Sequence, residues 1–239
     1  LQKVQAQAAI LAGGQGTRMR LFTREPKALL PVSGRPLMAH QLEWLKKSGF
    51  QTIFLCLGYG AERIREVFGD GSAYGVRLHY SVESAPRGTA GAVRDLPGAV
   101  DHDWLVVYGD LIVSVDAPAL LEAHRAGGAA ATMVVRPTDH PEDSDLADVS
   151  GDGTVSWVGR FDSAPPVSGA RLGCCAVWAL RGSLLARVPL DRPSDFARDL
   201  FPAAIAAGEA MRAFRVEEGV LDIGTPERYR RFIEETGAS

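Results

Sequence analysis

Short apolar runs take turns with segments in which apolar residues recur every three or four positions. Ala8-Ala9-Ile10-Leu11-Ala12 is a continuous apolar run, the pattern of a strand buried on both faces. Met38, Leu42 and Leu45 fall at i, i+4 and i+7, which predicts an amphipathic helix ended by Gly49. Thr52 to Leu57 predicts a second strand, rich in branched and aromatic residues. Gly58 and Gly60 turn it into a helix carrying Ile64, Val67 and Phe68, which Gly69-Asp70-Gly71 breaks. Val76, Leu78 and Tyr80 alternate with Arg77 and His79 as a half-buried strand. Strand, helix, strand, helix, strand is the order of a parallel sheet with right-handed crossovers.

The same patterns continue. Trp104 to Tyr108 predicts a buried strand, Asp116 to Ala126 a helix stopped by Gly127-Gly128, and Ala130 to Val135 a strand. Residues 137–153 hold two prolines, five aspartates and one glutamate, and read as a surface loop. Val155, Trp157 and Phe161 read as strand, as does Arg171 to Leu180. Ser194-Asp195 caps a predicted helix running to Ala207, with Met211, Ala213 and Arg215 alternating in a strand beyond it. Thr225 as N-cap and Pro226 at the first helical position start a terminal helix, and Asp222 precedes it in a bend. No repeat, low-complexity tract or linker divides the chain.

Composition narrows the class. The shares of 46% hydrophobic and 23% charged residues suit a soluble α/β globule, and 239 residues suffice for one large domain. A net charge of −3 gives no sign of a nucleic-acid or membrane-surface partner. No apolar run is long enough to span a bilayer, and no signal-peptide pattern opens the sequence. Cys56, Cys174 and Cys175 are odd in number, two of them adjacent, which suits neither a disulfide framework nor a metal site. We therefore expect a cytoplasmic setting. A homo-oligomer stays open.

The candidate chemistry begins where the first strand ends. Gly13, Gly14 and Gly16 let backbone N–H groups approach a ligand without Cβ interference, and such a turn can aim several N–H dipoles at an anion. Arg18 and Lys27 add two positive charges, which makes the stretch a candidate polyphosphate cradle. The dinucleotide pattern G-x-G-x-x-G fails at Met19, and no G-K-[ST] follows as a P-loop requires. A plain glycine turn with surface cations remains open. Asp110 ends a predicted parallel strand, where open α/β sheets bind ligands, and its hard oxygens suit Mg²⁺ shared with phosphate. Asp110 as a simple turn cap is the alternative.

Four stretches carry a resemblance. G-G-Q-G-T-R at Gly13–Arg18, with P-K-A-L-L-P-V-S-G-R-P-L at Pro26–Leu37, closely resembles the signature of the sugar-1-phosphate nucleotidyltransferases. E-S-A-P-R-G-T-A-G-A at Glu83–Ala92 is similar to that family's base-recognition segment, with Arg87 for the usual Leu. Gly109-Asp110 and D-I-G-T-P-E-R-Y at Asp222–Tyr229 look like its two metal-binding steps. The resemblance covers roughly residues 8–235 and is also similar to heptose-1-phosphate guanylyltransferases, with some uridylyltransferases nearly as close. Because the sequence ends soon after the last motif, we expect none of the hexapeptide-repeat domain that some relatives carry.

What the resemblance implies is a single Rossmann-like domain with a mostly parallel central sheet and helices on both faces. Residues 1–115 would form the nucleotide-binding part, and 116–239 a smaller sugar-binding part with the closing helix. The implied reaction joins an NTP to a sugar 1-phosphate, giving an NDP-sugar and pyrophosphate. Arg18, Lys27 and Asp110 would be catalytic, and Asp110 with Asp222 would hold Mg²⁺. Leu11, Ala12, Gly13, Gly14, Gly16, Thr17, Glu83, Gly88 and Thr89 would bind the nucleotide. The acceptor carboxylate of Glu83 matches the two neighbouring donors of guanine better than the single donor of uracil or thymine, which favours GTP. Gly173 and Asp195, with Asp145 and Asp148 beside them, are the sugar-site candidates. Two departures stand out. Arg18 and Lys27 are nine apart where the family usually has ten, and the family's sugar-phosphate lysine near Asp162–Ala164 is missing. Arg160 or Arg171 are the available substitutes, and a non-catalytic nucleotide-sugar-binding relative is the reading this gap leaves open.

Overall fold

The computed structural model describes residues 6–17, 19, 23–163, 165 and 169–237. In chain order the strands and helices are β1 (Ala6–Ala12), β2 (Pro31–Val32), β3 (Arg35–Pro36), α1 (Leu37–Lys47), β4 (Thr52–Leu57), α2 (Ala61–Phe68), β5 (Arg77–Val82), α3 (Gly88–Arg94), β6 (Asp103–Tyr108), β7 (Leu111–Val113), α4 (Ala117–Gly127), β8 (Ala131–Arg136), β9 (Asp145–Val149), β10 (Val155–Arg160), β11 (Ala170–Leu180), α5 (Gly182–Leu185), α6 (Phe201–Ala206), β12 (Met211–Arg215), β13 (Val220–Asp222) and α7 (Pro226–Thr236). The chain divides into two compact units. Leu1–Ala85, Val107–Val115 and Gly219–Ser239 form the first, and Pro86–Val106 with Asp116–Glu218 the second. Against the expected halves, Pro86–Val106 falls in the second unit and the closing helix in the first.

The first unit rests on parallel strands. β1 pairs with β4 from Ala8↔Ile53 to Ala12↔Leu57, and β4 with β5 from Thr52↔Arg77 to Leu57↔Val82. Ala8, Ala9, Ile10, Ile53 and Leu55 are fully buried, as their apolar runs require. Helix α1 buries Leu37, Met38, Gln41, Leu42 and Leu45 at helical spacing. Tight backbone approach explains two glycines. A Cβ at Gly58 would stand 2.6 Å from the Gly13 carbonyl oxygen, and one at Gly109 2.8 Å from Ala12 Cβ, so neither position accepts a side chain. Met19, where a dinucleotide loop would carry glycine, is instead buried with Leu30, Val32, Leu37, Ile223, Tyr229 and Phe232 in a small core. Tyr229 of α7 donates to the Pro31 carbonyl at 2.7 Å, fastening the last helix to the β2–β3 hairpin.

In the second unit β12 runs parallel to β8, while β8, β11, β9 and β10 pair antiparallel in turn. Residues 137–153 depart from the surface-loop expectation. Pro141–Asp143 is one 3-10 turn, and Leu146, Ala147, Asp148 and Val149 of β9 are buried. The acidic residues hid the strand, because Asp148 is neutralised inside by Arg171, Nε–Oδ1 2.8 Å and Nη2–Oδ2 2.9 Å. β10 ends at Arg160, so Phe161 opens a 3-10 turn rather than extending the strand. The helix expected after Asp195 starts with a π turn over Phe196–Leu200 before α6. Pro202, which lacks an N–H, sits at the start of α6 as a first-turn proline should. Phe201 packs edge-on to Trp178 with ring centroids 5.3 Å apart.

Candidate active site

Two chain-distant carboxylates meet in the first unit. β6 ends at Tyr108, the chain turns through Gly109-Asp110, and β7 pairs antiparallel with β13 so that Asp222 lies opposite Leu111. Asp222 thus ends a strand rather than lying in a bend. The Ile223 N–H donates to the Asp110 carbonyl at 3.1 Å, which ties the two segments together beside both carboxylates. Gly224 shows how close they come. A Cβ there would collide with Asp110 Oδ2 and stand 3.0 Å from Asp222 Oδ1. The Lys27 ammonium lies 3.1 Å from Asp110 Oδ2, with both side chains half-buried. The Gly224 N–H donates to Asp222 Oδ1 at 2.7 Å, and the Arg228 guanidinium takes Oδ2. Burial, and next the charge on Asp110, push the Asp222 carboxyl above the ordinary carboxylate range despite the Gly224, Arg228 and Lys27 contacts that pull it down.

This donor set fits a hard divalent cation. Two like charges crowd one glycine that has no room for a Cβ, and cations already face them. Among the described residues no group of three or more His, Cys, Asp or Glu gathers to hold a metal. Two carboxylates beside cations would suit Mg²⁺, which usually takes one or two protein carboxylates at phosphate substrates.

The sequence-named residues divide between the units. Leu11 and Ala12 end β1, and Gly13, Gly14, Gly16 and Thr17 form the loop beyond, in the same unit as Lys27, Asp110 and Asp222. Gly16 has φ +58° and lies against the Lys27 aliphatic chain, whereas a Cβ at Gly14 would meet none of the described residues within 4 Å. Among the described residues nothing packs on position 14, and the loop there is exposed. Glu83 continues β5, its N–H donating to the Leu57 carbonyl at 2.9 Å. Arg18 lies outside the described residues.

In the second unit Gly88 is pressed against the Ser194 backbone with φ +72°. Thr89 accepts from the Phe196 N–H at 3.0 Å and donates to Asp195 Oδ1 at 3.1 Å. The helix N-cap is Arg87. Asp195, a sugar-site candidate, is thereby joined to Thr89, a nucleotide-site candidate. Gly173 is buried in β11 opposite Arg136. Asp148 is 3% exposed and turned to Arg171, so it presents nothing to a ligand. Asp145 is half-buried, its carboxyl pushed up by burial with Arg160 at 3.7 Å pulling it down. Neither proposed substitute for the missing lysine is at hand. Arg171 is held by Asp148 and lies over the Trp157 ring, and Arg160 donates to the carbonyls of Asp143 at 3.0 Å and Glu142 at 2.9 Å.

Three contributors to the site escaped the sequence reading. Gln41 is fully buried on α1 and donates from Nε2 to the carbonyls of Tyr108 and Leu111, 2.8 Å each, clasping the turn that carries Asp110. A lone amide on the apolar stripe of α1 was its signal. Gly224 and Arg228 lie within the motif at Asp222–Tyr229, which singles out Asp222, Thr225 and Pro226 but gives neither of them a role.

Known proteins resemble this chain over nearly its whole length. The chain is 31% identical over 231 residues to a mannose-1-phosphate guanylyltransferase of Mycobacterium tuberculosis, covering 95% of this chain and 63% of the relative. It is 27% identical over 241 residues to a UTP–glucose-1-phosphate uridylyltransferase of Synechocystis, covering 95% and 62%. The chain thus spans a little under two thirds of the length of these curated relatives. The crystal structure of HddC from Yersinia pseudotuberculosis shares the fold with a TM-score of 0.78 at 23% identity, over 96% of this chain and 99% of that one. The family model described as nucleotidyl transferase matches residues 7–238, and the chain belongs to that family.

Proposed function

We propose that this chain transfers a nucleotidyl group from an NTP, GTP by preference, to a sugar 1-phosphate, giving an NDP-sugar and pyrophosphate. The observation that carries the reading is the convergence of Asp110 and Asp222 on Gly224, with Lys27 on Asp110. Both reactants are anions that repel each other, so the protein's task is to offset that repulsion and hold a line of attack, with little proton chemistry. Asp110 and Asp222 would hold Mg²⁺, which when bound supplies neutralising charge against the phosphates. Lys27 would contact the α-phosphate and the incoming phosphate, and Arg18 the β- and γ-phosphates that depart. The loop from Leu11 to Thr17 would seat ribose and base, with the open space at Gly14 admitting the ligand close to backbone. A sugar-phosphate oxygen attacks the α-phosphorus, and the bond to pyrophosphate breaks opposite. The name of the Mycobacterium tuberculosis relative supports guanine, as does the acceptor chemistry of Glu83; the uridylyltransferase relative makes UTP the competitor. Gly173 and Asp195 would line the sugar site, the second through Thr89.

The test is pyrophosphate release from a panel of five NTPs with Mg²⁺ and mannose, glucose or heptose 1-phosphate. GTP-dependent release is expected. Release with UTP or dTTP and none with GTP rejects the base assignment. Binding without release from any pair rejects the enzymatic reading in favour of a nucleotide-sugar-binding protein.

A further inference from the structure

The two carboxylates already carry two cations. Lys27 sits on Asp110 and Arg228 on Asp222, so the pair is charge-balanced before any substrate arrives. A divalent cation brings the same two charges to the same oxygens. Asp222 has one oxygen on the Gly224 N–H and the other on Arg228, so metal ligation competes directly with the guanidinium. Nothing in α7 itself calls for a cation at this point. Arg228 is the third residue of the helix, where the helix dipole disfavours positive charge, and its favourable partner is Asp222. Its backbone is fixed, because the Arg228 N–H donates to the Thr225 cap at 3.3 Å. Its side chain is about a third exposed, so it can swing without opening the core.

We propose that Arg228 is a resident counter-ion of Asp222, released when a divalent cation takes the carboxylate and then passed to the phosphate of the incoming sugar phosphate. The proposal rests on the functional reading above. It answers the missing sugar-phosphate lysine. Arg160 and Arg171 are tied down within their own unit, whereas Arg228 loses its partner at the moment a second phosphate must be bound. A guanidinium matches phosphate in a two-pronged way that a lysine does not.

The test uses Mn²⁺ as probe on the whole protein without substrate, comparing wild type, Arg228→Gln and Arg228→Lys. Removing a partly exposed competing charge should tighten Mn²⁺ binding about three- to fivefold in Arg228→Gln, while Arg228→Lys stays near wild type. In steady state with GTP, Mg²⁺ and mannose 1-phosphate, Arg228→Gln should raise KM for the sugar phosphate roughly tenfold with KM for GTP unchanged. A merely structural role would lower the thermal midpoint and loosen Mn²⁺. Unchanged or weaker Mn²⁺ binding in Arg228→Gln overturns the counter-ion role, whatever the substrates are. Tighter Mn²⁺ binding with unaltered sugar-phosphate KM overturns the hand-over. Absence of turnover in wild type strikes at the functional reading instead, and the Mn²⁺ titration still decides the role of Arg228.

Discussion

At the scale of single residues, the proposed site turns on two carboxylates and the glycine they share. Replacing Asp110 by Asn removes charge while keeping shape, and turnover should fall at least about 100-fold, the scale of one lost electrostatic contact in a transition state. Pyrophosphate release by the purified, folded variant measures it, and near-normal turnover would refute the metal assignment. Gly224→Ala should weaken Mn²⁺ binding by roughly tenfold, because its methyl would push Asp110 Oδ2 aside. Equal Mn²⁺ affinity would mean that the carboxylates do not act together. Lys27, Asp110 and Asp222, each set in a long motif, come together from three distant segments, which is as much of the candidate site as the sequence made legible. Gln41 was not named, because hydrogen bonds to main-chain carbonyls leave no mark on a sequence beyond one misplaced amide.

Elements show where periodicity speaks and where it falls silent. The apolar runs of β1 and β4 and the i, i+4, i+7 face of α1 were legible, since burial alone sets their pattern. β9 was not, because a buried ion pair puts Asp148 where alternation calls for an apolar residue. That pair makes a prediction of its own. Asp148→Asn leaves Arg171 without its partner and should cost about 3 kcal/mol, whereas Asp148→Leu with Arg171→Met should be near neutral. Urea midpoints of the two variants test this, and an equal loss in both would show that packing rather than charge holds β9. The clasp of α1 on the Asp110 turn predicts that Gln41→Leu costs about 2 kcal/mol by removing two hydrogen bonds, with kcat falling alongside. Thermal denaturation and turnover measured together check it; a stable but inactive variant would make Gln41 purely a positioning residue.

At the scale of the whole molecule, one buried histidine should weaken the fold in acid. His124 is 2% exposed, its Nδ1 lies 3.0 Å from Thr132 Oγ1, and its Nε2 has no hydrogen-bond partner among the described residues. Burial, with Arg181 and Arg125 adding to it, outweighs the opposing charge of Asp103 and holds the imidazole below its ordinary value. The unfolded chain therefore takes up a proton near pH 6.5 that the folded one refuses. Stability from this group is full above that pH and declines as pH falls, by up to about 1.4 kcal/mol per unit. Asp145 and Asp222, with raised carboxyls, work in the opposite sense, so the comparison that isolates the histidine is wild type against His124→Gln. Urea midpoints from pH 7.5 to 5.5 should fall more steeply in wild type, and parallel curves would remove His124 from the account.

The interleaving of the two units has a consequence in time. Lys27 and Asp110 are made early, but the strand bearing Asp222 and the helix bearing Arg228 belong to Gly219–Ser239, which rejoin the first unit after more than a hundred intervening residues of the second. Since domains fold as they leave the ribosome, N-terminal portions first, a nascent or prematurely terminated product carries only half of the carboxylate pair. On the proposed reading such a fragment holds Asp110 without Asp222, so the cation site is complete only once Gly219–Ser239 has been made.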